Sequence, residues 1–65
     1  MNGTVKKINS EKGFGFIRGE DGKDYFFHRS ALKNTRMDEI YEGQEMTFEG
    51  AMGGKGLRAE EVIAG

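Results

Sequence analysis

Four ring side chains stand at alternate positions in two short segments of the chain. Phe14 and Phe16 lie in the first segment, and Phe26 and His28 lie in the second. Because successive side chains of a β-strand point to opposite faces, each pair shares a face if its segment is a strand. Unpaired bases stack on such rings, at about 1–3 kcal/mol per base. The spacing therefore predicts a stacking surface for single-stranded nucleic acid.

Positive charge is concentrated in the half of the chain that carries these rings. The net charge of the 65 residues is −1, but residues 1–36 contain eight Lys/Arg against four Asp/Glu, whereas residues 37–65 contain two against seven. A polyanion responds to the local field more than to the total charge. The cations that border the rings, and that favour phosphate contacts, are Lys6, Lys7, Lys12, Arg18 and Arg29.

Residues 14–18 and 24–28 predict a β-hairpin with apolar side chains on both faces, joined through an Asp-Gly turn. The face with the four rings also carries Arg18 and Asp24, and burying unpaired charges is costly. We therefore assign the opposite face to the core, which is expected to contain Ile17, Tyr25, Phe27, Val5, Leu32, Met46, Phe48, Ala59 and Val62 or Ile63. The ring face stays exposed, unless it packs on a loop or on a second copy of the chain.

Three further segments complete the predicted set of strands. Residues 3–9, 44–49 and 57–63 have strand character. Val5 and Ile8 are apolar positions of opposite parity, which predicts a bend or a bulge in the first of these strands. Five short strands without a long helix indicate an antiparallel barrel or sandwich.

The connections after the hairpin have signals of their own. Residues 30–33 predict one helical turn that Ser30 caps. Residues 34–43 predict a long connection, held to the barrel by Met37, Ile40 and Tyr41. Residues 50–56 are rich in glycine and predict a flexible hairpin loop.

Length and composition limit the function further. The chain makes one domain, 1–65, with no cysteine and no apolar run near the roughly 20 residues that a membrane span needs. We expect a cytoplasmic protein without a membrane partner. His28 is the only histidine, and Asp24 is about 13 Å away along the strand, too far for a hydrogen bond. With one histidine and no cysteine, we expect no catalytic site and no metal site. Residues 13–18 lack the third glycine of a dinucleotide fingerprint, so we also expect no cofactor.

Residues 12–17 (KGFGFI) resemble the first ribonucleoprotein motif of bacterial cold-shock proteins. Residues 24–32 (DYFFHRSAL) resemble the second, and the segments NSEK at 9–12 and EGQ at 42–44 are also similar to that family. The resemblance runs the whole length of the chain. It implies a five-stranded antiparallel OB-type Greek-key barrel that binds single-stranded RNA and DNA. We expect the protein to be a monomer. Members of that family often act as RNA chaperones or transcription antiterminators.

The resemblance also implies roles for individual residues. Stacking on bases would fall to Phe14, Phe16, Phe26 and His28. Contacts with the backbone or with polar base edges would fall to Lys6, Lys12 and Lys55, and Asp24 would fix local hydrogen bonds.

This chain departs from the family pattern at the edge of the ring surface. Lys7-Ile8 stands where the family usually has Trp-Phe, and Arg29 stands where it often has Phe. Met37 replaces a common aromatic, and Leu57 replaces a common proline. Arg29 can still stack through its guanidinium plane, but Lys7 cannot replace an indole. The hypothesis is weaker and more salt-sensitive binding than in a typical member.

A small protein-interaction barrel is the alternative reading. Exposed aromatic side chains on small barrels also bind proline-rich peptides. Glycine beside the rings and lysines around them favour bases over prolines.

Overall fold

The computed structural model describes residues 1–54 and 56–64, whose strands form a closed β-barrel. The strands are β1 (Asn2–Asn9), β2 (Phe14–Gly19), β3 (Asp24–His28), β4 (Glu45–Gly53) and β5 (Gly56–Ala64). Two 3-10 helices, Arg29–Ala31 and Met37–Glu39, lie between β3 and β4. Around the barrel the strands follow the order β1-β2-β3-β5-β4. The prediction of an all-β, five-stranded OB-type barrel is confirmed.

One strand pairing departs from the predicted antiparallel pattern. Four neighbouring pairs are antiparallel, but β3 and β5 run parallel where Phe26 meets Arg58. A closed ring of five strands cannot reverse direction at every contact, so one pair has to be parallel. The exception follows from the odd number of strands and leaves the predicted architecture intact.

The predicted bulge lies in β1. Val5 is opposite Ile17, but the register then shifts and Lys7 is opposite Phe16. Directly opposed residues present their side chains on the same face of a sheet. The extra residue, Lys6, thus allows both Val5 and Ile8 to pack inward while Lys7 joins the outer face with Phe16.

The core is built on the predicted inner face of the β2–β3 hairpin. Ile17 and Phe27 are almost fully buried, and the Tyr25 ring packs against Phe48 with centroids 5.0 Å apart. The buried apolar residues are Val5, Ile17, Tyr25, Phe27, Met37, Ile40, Met46, Phe48, Ala59 and Val62, with Leu32 partly buried against them. The predicted division of the hairpin into a core face and an outer face is confirmed, and Val62 rather than Ile63 points inward.

The predicted loop at residues 50–56 is wrong for most of its length. β4 continues to Gly53, and β5 begins at Gly56. Two of the glycines allow close packing: a Cβ on Gly50 would lie only 2.9 Å from Cε2 of Tyr25, and a Cβ on Gly53 only 2.6 Å from Cδ of Arg58. Glycine in a strand often marks such a close approach.

Two details of the β3–β4 connection also differ from the predictions. Tyr41 is 63% exposed and does not hold the connection, whereas Met37 and Ile40 are buried as predicted. The first 3-10 helix is capped by His28, whose Nδ1 accepts the Ser30 N–H, and not by Ser30 itself. In the described part of the chain, no helix has the length and apolar character to cross a bilayer.

Candidate nucleic-acid interface

Three phenylalanine rings form a continuous surface on the outside of the β2–β3 hairpin. The Phe16–Phe26 centroids are 5.7 Å apart, the Phe14–Phe26 centroids 5.8 Å, and the Phe14–Phe16 centroids 6.5 Å. Each ring is partly exposed. Strand register brings them together, since Phe16 is opposite Phe26 and Phe14 is opposite His28. We call Phe14, Phe16, Phe26 and His28 the aromatic face.

His28 extends this face and is held along one edge. Its Nδ1 lies 3.2 Å from the donating N–H nitrogen of Ser30 and 2.9 Å from Ser30 Oγ. The residue itself is exposed. Hydrogen bonds at one edge fix the orientation of the ring and leave its flat sides free for stacking.

The glycine between the first two rings allows close packing on the inner side of the barrel. A Cβ on Gly15 would lie 2.5 Å from the carbonyl oxygen of Lys7 and 2.7 Å from Cζ of Phe27. Gly15 therefore faces the interior and admits the backbone of β1 and a core ring. The sequence suggests that this glycine lets another backbone or a flat base come close. The structure shows the first of these, the backbone of β1, and the missing side chain points away from the aromatic face.

Two cations stand in register at the ends of the central ring pair. Lys7 of β1 is opposite Phe16, Phe16 is opposite Phe26, and Phe26 is opposite Arg58 of β5. Both cationic residues are exposed. The order across four strands is thus cation, ring, ring, cation. Lys7 was predicted at this border, whereas Arg58 was missed. The sequence did contain a signal for Arg58: it precedes the predicted core residue Ala59 in a strand, so its side chain points outward.

Arg18 and Asp24 are bonded to each other beside the rings. The Arg18 Nε lies 3.1 Å from Asp24 Oδ1, and both side chains are about half exposed, at 50% each. Asp24 therefore makes a local hydrogen bond of the kind the resemblance implied. Because Asp24 partly neutralises Arg18, this arginine attracts a phosphate less strongly than Lys7 or Arg58 does.

The remaining predicted cations lie around the rim. Lys6 and Lys12 are exposed, on the β1 bulge and in the β1–β2 turn. Arg29 is also exposed, and its stem lies over Gly13, where a Cβ would meet Arg29 Cδ at 2.8 Å. Gly13 has a φ of +74°, which favours glycine independently. Lys55, predicted to contact the nucleic-acid backbone, lies outside the described residues.

A concave site adjoins the central ring pair. A cavity of about 660 Å³ is bordered by Phe16, Phe26, His28, Leu57 and Arg58. Apolar rings and one guanidinium therefore line the same depression. Within residues 1–54 and 56–64, no cluster of three or more histidine, cysteine or acidic side chains could hold a metal ion.

A hydrogen bond stabilises the turn that joins the two aromatic strands. The Tyr25 hydroxyl donates to Asp21 Oδ2 at 2.6 Å, and Asp21 Oδ1 accepts the Lys23 N–H at 3.0 Å. These bonds favour the carboxylate and lower the pKa of Asp21 below its ordinary value, while the bond to Asp21 raises the pKa of the Tyr25 hydroxyl. The hydrogen bond between Asp21 and the core residue Tyr25 therefore depends on the protonation states of both side chains.

Comparison with known proteins shows which family the chain belongs to. Residues 1–64 match the model of the "cold-shock" DNA-binding domain. The chain belongs to the cold-shock domain family. This membership assigns the domain to nucleic-acid binding.

Similar cold-shock proteins occur in several bacteria. The chain is 48% identical to Cold shock protein 2 of Lactiplantibacillus plantarum over 94% of this chain and 92% of that protein. It is 48% identical to the Major cold shock protein CspA of Pseudomonas aeruginosa over 95% of this chain and 90% of that protein. It is also 46% identical to Cold shock-like protein CspE of Bacillus anthracis, over 97% and 94% of the two chains.

Proposed function

We propose that this cold-shock domain binds single-stranded RNA and DNA by stacking unpaired bases on the aromatic face. The observation that carries the proposal is the partly exposed cluster of three phenylalanine rings with a cation at each end of its central pair. Rings supply stacking energy, and cations meet phosphates and release counterions. A duplex hides the faces of its bases, so this surface favours single strands over duplexes.

The proposed contacts divide by chemistry. Bases stack on the aromatic face, and the rim cations Lys6, Lys7, Lys12 and Arg29 contact phosphates. Arg18 contributes less charge because it is paired with Asp24. Lys55 remains a proposed phosphate contact on the sequence alone.

A binding function of this kind is sufficient for an RNA chaperone or a transcription antiterminator. A ligand that binds only the unpaired form of a strand shifts the pairing equilibrium toward that form. An RNA hairpin, whether a misfolded structure or a terminator, is destabilised in this way without any catalytic step. We propose that the domain acts in this way as a monomer in the cytoplasm, and that it is a binding protein rather than an enzyme.

Fluorescence anisotropy tests the proposal. Labelled pyrimidine-rich and purine-rich single strands should bind, and the duplex formed from complementary strands of the same length should bind more weakly. A proline-rich peptide panel serves as the control for the protein-interaction alternative. Preferential binding of the duplex, or of a peptide, would refute the proposal.

A further inference from the structure

Arg58 occupies a place from which it can reach the edge of a stacked base. Within the described strands it lies opposite Phe26, where β3 pairs with β5, and it borders the cavity beside Phe16 and Phe26. A base stacked on these two rings would therefore present one of its edges toward Arg58.

The stem of Arg58 is supported by a glycine across the β4–β5 hairpin. A Cβ on Gly53 would lie 2.6 Å from Arg58 Cδ, so the aliphatic part of the side chain fills the space that Gly53 leaves. Long side chains commonly pack their stems on a surface and keep the charged group in water. This packing limits the directions in which the guanidinium can point.

The guanidinium of Arg58 also differs from that of Arg18 in its pairing. Among the described residues, Arg58 takes part in no salt bridge, whereas Arg18 is bonded to Asp24. Lys7, at the other end of the ring pair, carries an ammonium, which acts as a point charge without a planar arrangement of donors. Of the two cations at the ends of the central ring pair, Arg58 is thus the one with a rigid fork, and it has no salt-bridge partner within residues 1–54 and 56–64.

The edges of the bases differ in how they match such a fork. A guanidinium only donates hydrogen bonds. Guanine presents two adjacent acceptors, O6 and N7, which arginine binds in a bidentate manner, whereas adenine presents an N6 donor beside N7. Guanine also covers more of the ring pair than a pyrimidine does.

We infer that Arg58 reads the base stacked on Phe16 and Phe26 and gives the domain a preference for guanine at that position. The inference rests on the proposed stacking function and adds a specificity to it. Stacking alone accepts every base, because each has an aromatic face. The guanidinium fork then separates guanine from adenine and from a guanine that lacks N7.

The test uses thymine heptanucleotides whose central base is thymine, guanine, 7-deazaguanine or adenine. 7-Deazaguanine keeps the shape and O6 of guanine but has a carbon in place of N7. We expect the wild type to bind the guanine strand about tenfold more tightly than the 7-deazaguanine or adenine strand, within the range of a bidentate contact. Equal affinities for guanine and 7-deazaguanine would overturn the inference.

Two arginine-to-lysine variants, which keep the charge, test whether the preference for guanine depends on Arg58. Arg58→Lys keeps the charge and loses the fork, so the difference between guanine and 7-deazaguanine should shrink to about twofold or less. Arg36→Lys is the matched control, since Arg36 is exposed and pairs with Asp38 in the β3–β4 connection, and it should keep the full difference. A difference that survives Arg58→Lys would contradict the inference.

The all-thymine strand separates this inference from the proposed function. If that strand binds but guanine gives no advantage, the specificity fails and the stacking function stands. If no strand binds, the stacking function fails and the inference falls with it.

Discussion

The two faces of the β2–β3 hairpin carry similar residues and have different tasks. Phe27 is almost fully buried, whereas its neighbour Phe26 is partly exposed and touches Phe14 and Phe16. The strands are the same and the rings are the same. What differs is the set of neighbouring side chains. The inner face packs into the apolar core, and its polar contact is the Tyr25 hydroxyl bonded to Asp21 at the edge. The outer face carries Arg18 and Asp24, and a cation lies at each end of its central ring pair. Neighbouring charge, rather than ring type, decides which face is core.

The largest expected effect comes from the inner face. Phe27→Ala should lower the free energy of unfolding by about 3–5 kcal/mol, because it leaves a cavity in the core. A loss of this size is comparable with the whole stability of a domain this small. Thermal unfolding followed by circular dichroism measures it.

A milder substitution at the same position gives a folded protein whose binding can be measured. Phe27→Leu should cost less stability and leave the affinity for a single strand unchanged, because the side chain does not reach the outer surface. A folded Phe27→Leu protein with strongly weakened binding would show that the two faces are not separate.

The next effect belongs to the outer face. Phe16→Ala should weaken binding to a single-stranded oligonucleotide by about 1–3 kcal/mol with little change in the melting temperature. Tyr41→Ala is a matched control, since Tyr41 is exposed and lies outside the aromatic face. Unchanged affinity in Phe16→Ala, or an unfolded variant, would remove Phe16 from the proposed binding surface.

A third variant exchanges the cation at one end of the central ring pair for a ring. Lys7→Trp should tighten binding through additional stacking and remove one phosphate contact. The slope of log affinity against log salt should then become shallower by about 0.7, the value per phosphate for single strands. The expectation of strong salt sensitivity is rejected if the slope is the same in both proteins.

The smallest effect concerns pH and the turn at the end of the hairpin. The lowered pKa of Asp21 means that the folded protein binds a proton there less readily than the unfolded chain. This contribution to stability is present above the ordinary aspartate pKa of 3.8 and is lost as the pH falls through the lower value of the folded state. The raised pKa of Tyr25 has the opposite sense, so its contribution is present below pH 10 and is lost as the pH rises through the folded value.

Tyr25→Phe isolates this contact because it removes the hydroxyl and keeps the core ring. The difference in melting temperature between wild type and variant should be larger at neutral pH than at pH 2. A difference that does not vary with pH would mean that the Asp21–Tyr25 bond contributes nothing through the carboxylate.

The outer and inner faces could be separated from the sequence because strand parity is a local property. Alternation places Ile17 and Phe27 together and Phe16 and Phe26 together, and the charges of Arg18 and Asp24 then show which set is exposed. The bulge in β1 was also predictable, since Val5 and Ile8 can both be buried only if the register shifts.

Features that depend on contacts distant in sequence could not be predicted in the same way. Gly50 resembles a loop residue until the Tyr25 ring is placed beside it. Arg58 becomes a neighbour of Phe26 only when the barrel closes through its parallel pair. Tyr41 looks like an anchor by composition, yet the turn that bonds its N–H to Gln44 Oε1 leaves its ring in solvent.

The most direct test of the proposed surface is an NMR titration of the labelled domain with a single-stranded oligonucleotide. The account predicts that the largest shift changes fall on Phe14, Phe16, Phe26 and His28, extend to Lys7 and Arg58, and spare the core side of the hairpin. Changes centred on the exposed acidic turn around residues 41–45, with the aromatic face silent, would contradict it.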